Sequence, residues 1–218
     1  MAAYSMVVYQ IIAIVAALFC IAALLSHFVK LIKLGKPKEF SQKQGDVKKS
    51  MVYAYTKSML PHHKESAMLH LPTYGLGIVF HVGIFTSLLL FLLSFFPFFN
   101  CWIAEYMLLN TVLSALIALS ALSGVTLFVK RLLAKDLRVL STPDDYISNG
   151  LTVLFQLATA LFLFYHANSY IVHNYYLMAA LLFLYMPLGK LRHVVYFFAA
   201  RYHLGFFYGW RGSWPPEN

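Results

Sequence analysis

His70 and His81 stand at the two ends of HLPTYGLGIVFH, eleven residues apart in an otherwise apolar, glycine-bearing stretch. On a helix this spacing separates the rings by about 20° in direction and about 16 Å in height, so they share one face at two depths. Ionisable side chains in an apolar helix are costly, and they mark function more often than packing. Histidine is also the usual axial ligand of a haem held without covalent attachment, and the interior of a helix bundle is a common place for such a site. Two histidines at two depths therefore suit two stacked haems, each bridged to a histidine on a facing helix. Gly75, Gly77 and Gly83 reduce the bulk around these rings. They fit the approach of a flat macrocycle and close helix–helix packing equally well.

The facing ligands must come from another apolar run. His193 lies in MPLGKLRHVVYFF, and His173 lies at the start of the same run. If that run descends while the 71–96 run ascends, His70 and His193 meet near one side of the membrane and His81 and His173 farther across. His166 ends the preceding run at a depth close to the second pair, where it can replace His173 as ligand, line a proton path or hydrogen-bond a quinone. Tyr165, His166 and Asn168 together make a polar group suited to a quinol. A rival pairing, His81 with His193 and His70 with His203, fits better by rise alone, because His193 and His203 are about 15 Å apart along a helix. With both axial positions filled, iron offers a substrate no coordination site, and the chemistry is electron relay.

Other residues narrow the choice. Cys20 and Cys101 are isolated, without the spacing of covalent haem attachment or an iron–sulfur cluster. A desaturase-like enzyme with histidine-bound non-haem metal needs HxxxH or HxxHH boxes at one depth; His62-His63 is adjacent, but no second box accompanies it. These two read as solvated, His27 as interfacial, and His203, beside Arg201, as facing lipid, a haem propionate or a partner. A plain membrane anchor for a cytoplasmic oxidoreductase is the third reading.

The elements that carry these residues follow from composition. Hydrophobic residues make up 61% of the 218, aromatics 17% and charged residues 11%, which is outside the range of soluble globular chains. Runs long enough to cross about 30 Å of hydrocarbon occur at 4–29, 71–96, 102–129, 146–165 and 175–200. The expected fold is an all-α membrane protein, a five-helix bundle forming a single membrane domain over 1–218. The first run has no basic segment before it and exceeds a signal peptide's apolar stretch, so it is read as a retained helix. In the last run Pro187, Lys190, Arg192 and His193 interrupt the apolar pattern, so its lower half must sit among other helices or near the interface.

Charge sets the orientation. Nine lysines lie in 30–64, four Lys/Arg in 130–138 and four in 190–211, which accounts for all seventeen. The positive-inside rule then predicts an external N-terminus and a cytoplasmic C-terminus. The +9 net charge needs no nucleic acid to explain it. Topology and anionic lipid headgroups suffice, with a docking surface for a cytoplasmic partner as the sharper addition. Between the first two runs a short amphipathic piece is expected on the membrane surface. Ser141-Thr142-Pro143-Asp144-Asp145 reads as the capped start of the fourth helix.

Three stretches give the chain a family likeness. GLGIVFHVGIF, LRVLSTPDDY leading into a helix with Gln156, and PLGKLRH resemble segments of the gamma, or cytochrome b, subunit of respiratory nitrate reductase and of the cytochrome b subunits of sulfite-reductase-associated and heterodisulfide-reductase-like complexes. The likeness covers most of the chain after the first helix. It implies a five-helix bundle in a prokaryotic cytoplasmic (inner) membrane, with two b-type haems as cofactors. His70 and His193 would hold the inner haem, and His81 and His173 the outer. The implied activity is quinol oxidation near the outer haem and electron delivery to a cytoplasmic iron–sulfur subunit docked on the basic face. Two departures stand out: His70 and His81 are one residue farther apart than in the nitrate reductase subunit, and the family's spacing on the fifth helix falls on Tyr175.

Overall fold

The computed structural model of the chain describes residues 2–35, 38–63 and 65–216; Lys36 and Lys64 of the basic segment lie outside them. It is all-helical, 83% helix, with no strand among the described residues. Four helices are long and apolar enough to cross a membrane: Met6–Leu34, Leu71–Leu93, Met107–Leu133 and Pro143–Phe164. A fifth crossing arises only if Ser169–Tyr185 and Lys190–Trp210 count as one broken span. The chain divides into two compact units, Met1–Ile21 with Gly75–Leu191, and Ala22–Tyr74 with Arg192–Asn218.

In chain order the α-helices are α1 (Ala2–Leu34), α2 (Val47–Tyr55), α3 (Glu65–Leu69), α4 (Leu71–Leu93), α5 (Pro97–Glu105), α6 (Met107–Leu133), α7 (Lys135–Val139), α8 (Pro143–Phe164), α9 (Ser169–Tyr185) and α10 (His193–Trp210). The first unit has α6, α8 and α9 packed in succession. Its interior holds an aromatic core of Phe91, Phe155, Phe162, Tyr175 and Tyr176, whereas Ile11, Val15, Leu18, Leu116 and Leu119 are exposed. Apolar residues outside and serine, threonine and glutamine inside is the pattern a lipid solvent favours. α1 joins through Ala13, Ala16 and Cys20, all buried on one stripe, and through a hydrogen bond from Gln10 Nε2 to the Tyr176 hydroxyl (3.1 Å).

Two boundaries differ from the sequence expectation. The residues around Phe98–Cys101, expected as an external turn, form α5, which starts on Pro97 and buries Phe99 and Ile103. Proline without an N–H costs nothing in a first turn. The expected 175–200 helix is not continuous. Pro187 has no N–H to extend the ladder, and the amides of Leu188 and Gly189 both turn back to the Tyr185 carbonyl at 3.0 Å.

That break is held by charge. Asp145 accepts from Thr142 N–H (2.8 Å) and Thr142 hydroxyl (2.9 Å), and pairs with Arg131 of α6 (2.7 Å) and Lys190 beyond the break (2.5 Å). Its neighbour Asp144 accepts from the Tyr185 hydroxyl. A Cβ at Gly189 would lie 2.7 Å from the Asp144 carboxylate, so the turn needs glycine there. STPDD and PLGK, far apart in sequence, thus close on each other. Thr142 caps α8 and Pro143 opens it, as the sequence predicted.

In the second unit, the amphipathic piece exists as α2, and it packs on α10. α2 starts on Asp46, whose carboxylate accepts from Lys48 N–H (2.9 Å). Gly205 and Gly209 let the helices close: a Cβ on Gly205 would come 2.8 Å from Met51 Cα, and one on Gly209 2.6 Å from Ser50 Cβ. The C-terminal segment folds back over this contact. Ser50 Oγ donates to the Trp214 carbonyl, Trp214 stacks on Tyr208 (4.6 Å) and meets the Tyr53 edge (5.3 Å). Trp210 Nε1 donates to Ser41 O (2.7 Å), and Arg211 pairs with Glu39 (2.7 Å).

This clamp is expected to be acid-sensitive. Burial pushes the Glu39 carboxyl up, but the Ser41 hydroxyl and N–H and the Arg211 guanidinium outweigh it and hold the group below its ordinary value. The Lys49 N–H, with that of Lys48 and the charges of Lys49 and Lys43, lowers Asp46. Both folded-state values lie below the unfolded ones of about 4, so their contribution is complete above about pH 4 and disappears as pH falls through the lowered values. In a Trp102→Phe background, the emission of Trp210 and Trp214 should shift to the red below about pH 4. Emission constant down to about pH 2 would show that these carboxylates do not hold the clamp.

Candidate functional site

His81 lies midway along α4 on an exposed face. Its Nδ1 is 2.7 Å from the Gly77 carbonyl one turn earlier. A carbonyl only accepts, so Nδ1 carries the hydrogen, and in the neutral form of the ring the lone pair then lies on Nε2. A hydrogen bond from the non-ligating nitrogen to a backbone carbonyl is the usual way a protein orients a metal-ligating histidine. Phe80 and Phe85 flank the ring at centroid distances of 6.0 and 6.3 Å.

The glycines near it divide in use. A Cβ on Gly75 or Gly77 would meet nothing within 4 Å, which leaves open surface on the side of α4 that carries Gly77 and His81. Gly83 is different: a Cβ there would collide with the Ser120 side chain, and Gln156 Oε1 would be 3.3 Å away. Gly83 serves helix packing, and Gly75 and Gly77 leave room. Of the two uses that the sequence left open, close helix packing is seen at Gly83, while Gly75 and Gly77 border open space.

The other candidate residues lie in different settings. His173 on α9 is half-buried and stacks on Tyr9 of α1, with centroids 4.5 Å apart and planes 22° apart. His166, in the turn after α8, is half-buried, and its Nδ1 is buried without a hydrogen-bond partner. Next to it, Tyr165 ends α8 with an exposed ring. Asn168 caps α9, its Oδ1 accepting from Tyr170 N–H (3.0 Å). His81, His166 and His173 belong to the first compact unit, and His70 and His193 to the second. His70 precedes α4 and His193 opens α10, both exposed. His203 also belongs to the second unit. Among the described residues no three of His, Cys, Asp or Glu are grouped to hold a bare metal ion.

Tyr175, on which the family spacing falls, is fully buried. Phe162 stacks on it at 4.4 Å and Phe155 at 6.0 Å, each within 12° of parallel. This position is filled core, where His81 faces open surface.

A buried polar stripe escaped the sequence reading. Ser148, Thr152, Gln156 and Thr159 recur at helical spacing on α8, and all four are buried. Gln156 Nε2 donates to the Phe80 carbonyl (3.1 Å), next to His81, while its Oε1 and the Ser87 hydroxyl are buried without partners. Ser120 Oγ donates to Val79 O (2.9 Å). The backbone just before His81 is thus gripped by α6 and α8 at once. The signal was present in the sequence as polar residues at i, i+4 and i+8 in an apolar helix.

No family model, curated protein or solved structure matches this chain.

Proposed function

We propose that the chain is a dihaem cytochrome b subunit that moves electrons between membrane quinol and a cytoplasmic iron–sulfur partner. The observation that carries this reading is His81: an imidazole on an apolar spanning helix, its Nδ1 tied to Gly77 O and its Nε2 left to ligate beside glycine-opened surface. An imidazole nitrogen of this kind is the donor that a non-covalently held haem takes. A bis-histidine haem needs only one such nitrogen from each of two helices.

His81 and His173, with His166 as the alternative, would hold the outer haem, and His70 and His193 the inner one. Each proposed pair falls within one compact unit, which favours this assignment over His81 with His193. Bound haem would supply one-electron transfer. The chain's own residues orient the ligand. Gly77 O fixes the His81 tautomer, and Gln156 and Ser120 hold the carbonyls of Phe80 and Val79 behind it. Beside the exposed ring of Tyr165, half-buried His166 would be the side chain that takes a quinol hydroxyl proton. If quinol is oxidised at this outer site, its electrons would pass inward to the cytoplasmic partner.

The purified chain should show b-type bands in a reduced-minus-oxidised visible spectrum, at about two haems per chain as two bis-histidine sites require. A chain purified from a haem-replete host without such bands would end the proposal.

A further inference from the structure

Lys48, Lys49 and Lys57 border an open groove of about 430 Å³ lined as well by Val52, Tyr53 and Pro215. All six belong to the second compact unit. The faces of α2 explain the arrangement. Ser50, Tyr53 and Ala54 are buried, which leaves Lys48, Lys49 and Val52 outward, with Val52 65% exposed. Ion pairs among the described residues use Arg131, Lys190 and Arg211 and none of these three lysines. Asp46, which caps α2 and feels the charge of Lys49, offsets only part of the positive charge.

We infer that this groove binds the headgroup of an anionic phospholipid, the phosphate against the lysines and the glycerol end of the tails on Val52 and Pro215. The occupant must be both anionic and apolar, because the lining is both. Depth points the same way. Two residues after Lys57, the Met59 carbonyl accepts from the Tyr74 hydroxyl (2.8 Å), and Tyr74 lies in the first turn of the membrane-crossing α4. The groove is therefore tethered to the end of a span, where phosphates lie and where a lysine gains about fivefold in anionic-lipid affinity. An acidic segment of a soluble partner would match the lysines but leave Val52 and Pro215 without an apolar complement. The inference does not depend on haem or on quinol.

The test is native mass spectrometry of the full-length chain titrated with 1-palmitoyl-2-oleoyl phosphatidylglycerol or with the phosphatidylcholine of the same tails. Phosphatidylglycerol should bind first, and the exposed-site pair Lys48→Gln with Lys49→Gln should weaken it about twenty-five-fold, at about fivefold per lysine. Val52→Glu, which keeps every lysine, should weaken it comparably, while Lys135→Gln with Arg138→Gln on α7 should leave it unchanged. Equal affinity for the two lipids would overturn the site. So would loss of binding in the α7 pair as large as in the α2 pair, or displacement of phosphatidylglycerol by a polyglutamate peptide at lower concentration than by phosphatidylglycerol itself. Circular dichroism of each variant confirms that helix content is retained before the affinities are compared.

Discussion

Replacing His81 by alanine should lower the haem content of the purified chain from about two per polypeptide to about one, because each axial histidine is indispensable to its own site. The side chain is exposed and hydrogen-bonds only within its own helix, so the fold should survive the change. The fall would be read as a halved b-type absorbance per chain in an alkaline pyridine assay, with circular dichroism unchanged. Quinol-linked reduction of the remaining haem should fall at least about a hundredfold if His81 serves the quinol-proximal site, since losing a group that merely orients a metal ligand already costs about 10–100-fold. Gly77→Leu supplies a second measurement. It leaves the histidine in place but fills the open surface beside it, and should depress haem occupancy without removing the ligand. Full haem content in both variants would exclude His81 as a ligand.

The second large effect concerns stability. Gly83→Ala should destabilise the first unit by about 2–3 kcal/mol, the cost of overpacking a tight contact. The added methyl collides with Ser120, whose hydroxyl is committed to the Val79 carbonyl, and Gln156 closes the remaining side. Ser120 cannot withdraw without giving up that bond. Gly77→Ala on the same helix meets nothing within 4 Å and should be stabilising by up to about 1 kcal/mol, the helix-propensity difference alone. Thermal melts in detergent followed by far-ultraviolet circular dichroism compare the two directly. Equal melting temperatures would mean that Gly83 is not a packing contact and that the α4–α6–α8 arrangement is wrong.

The clearest sequence signals were those with a long apolar period. Four spans, an all-helical chain and the capped start of α8 were legible because about twenty apolar residues or a Thr-Pro-Asp-Asp run leave the backbone few alternatives. His81 was legible for a related reason: an imidazole in an apolar helix stands out. Less could be read wherever a polar residue's partner is distant in sequence. Lys190 looked like an interruption of the fifth span, and it is one arm of an ion pair with Asp145, forty-five residues away. Glycines were ambiguous for the same reason, since a missing Cβ in HLPTYGLGIVFH says nothing about what lies opposite.

By itself, then, the amino-acid sequence determined the solvent of this protein and which polar side chains its apolar helices carry, since hydrophobic run length and side-chain type are local properties. Only the tertiary structure decided that Gly83 is closed by Ser120 while Gly77 stays open. It also decided that the last apolar run breaks after Tyr185, and that α2 seats on glycines of α10. Each of these depends on which helix faces which. Interhelical contact in a membrane is set by small residues and buried hydrogen bonds, whose partners no local pattern identifies.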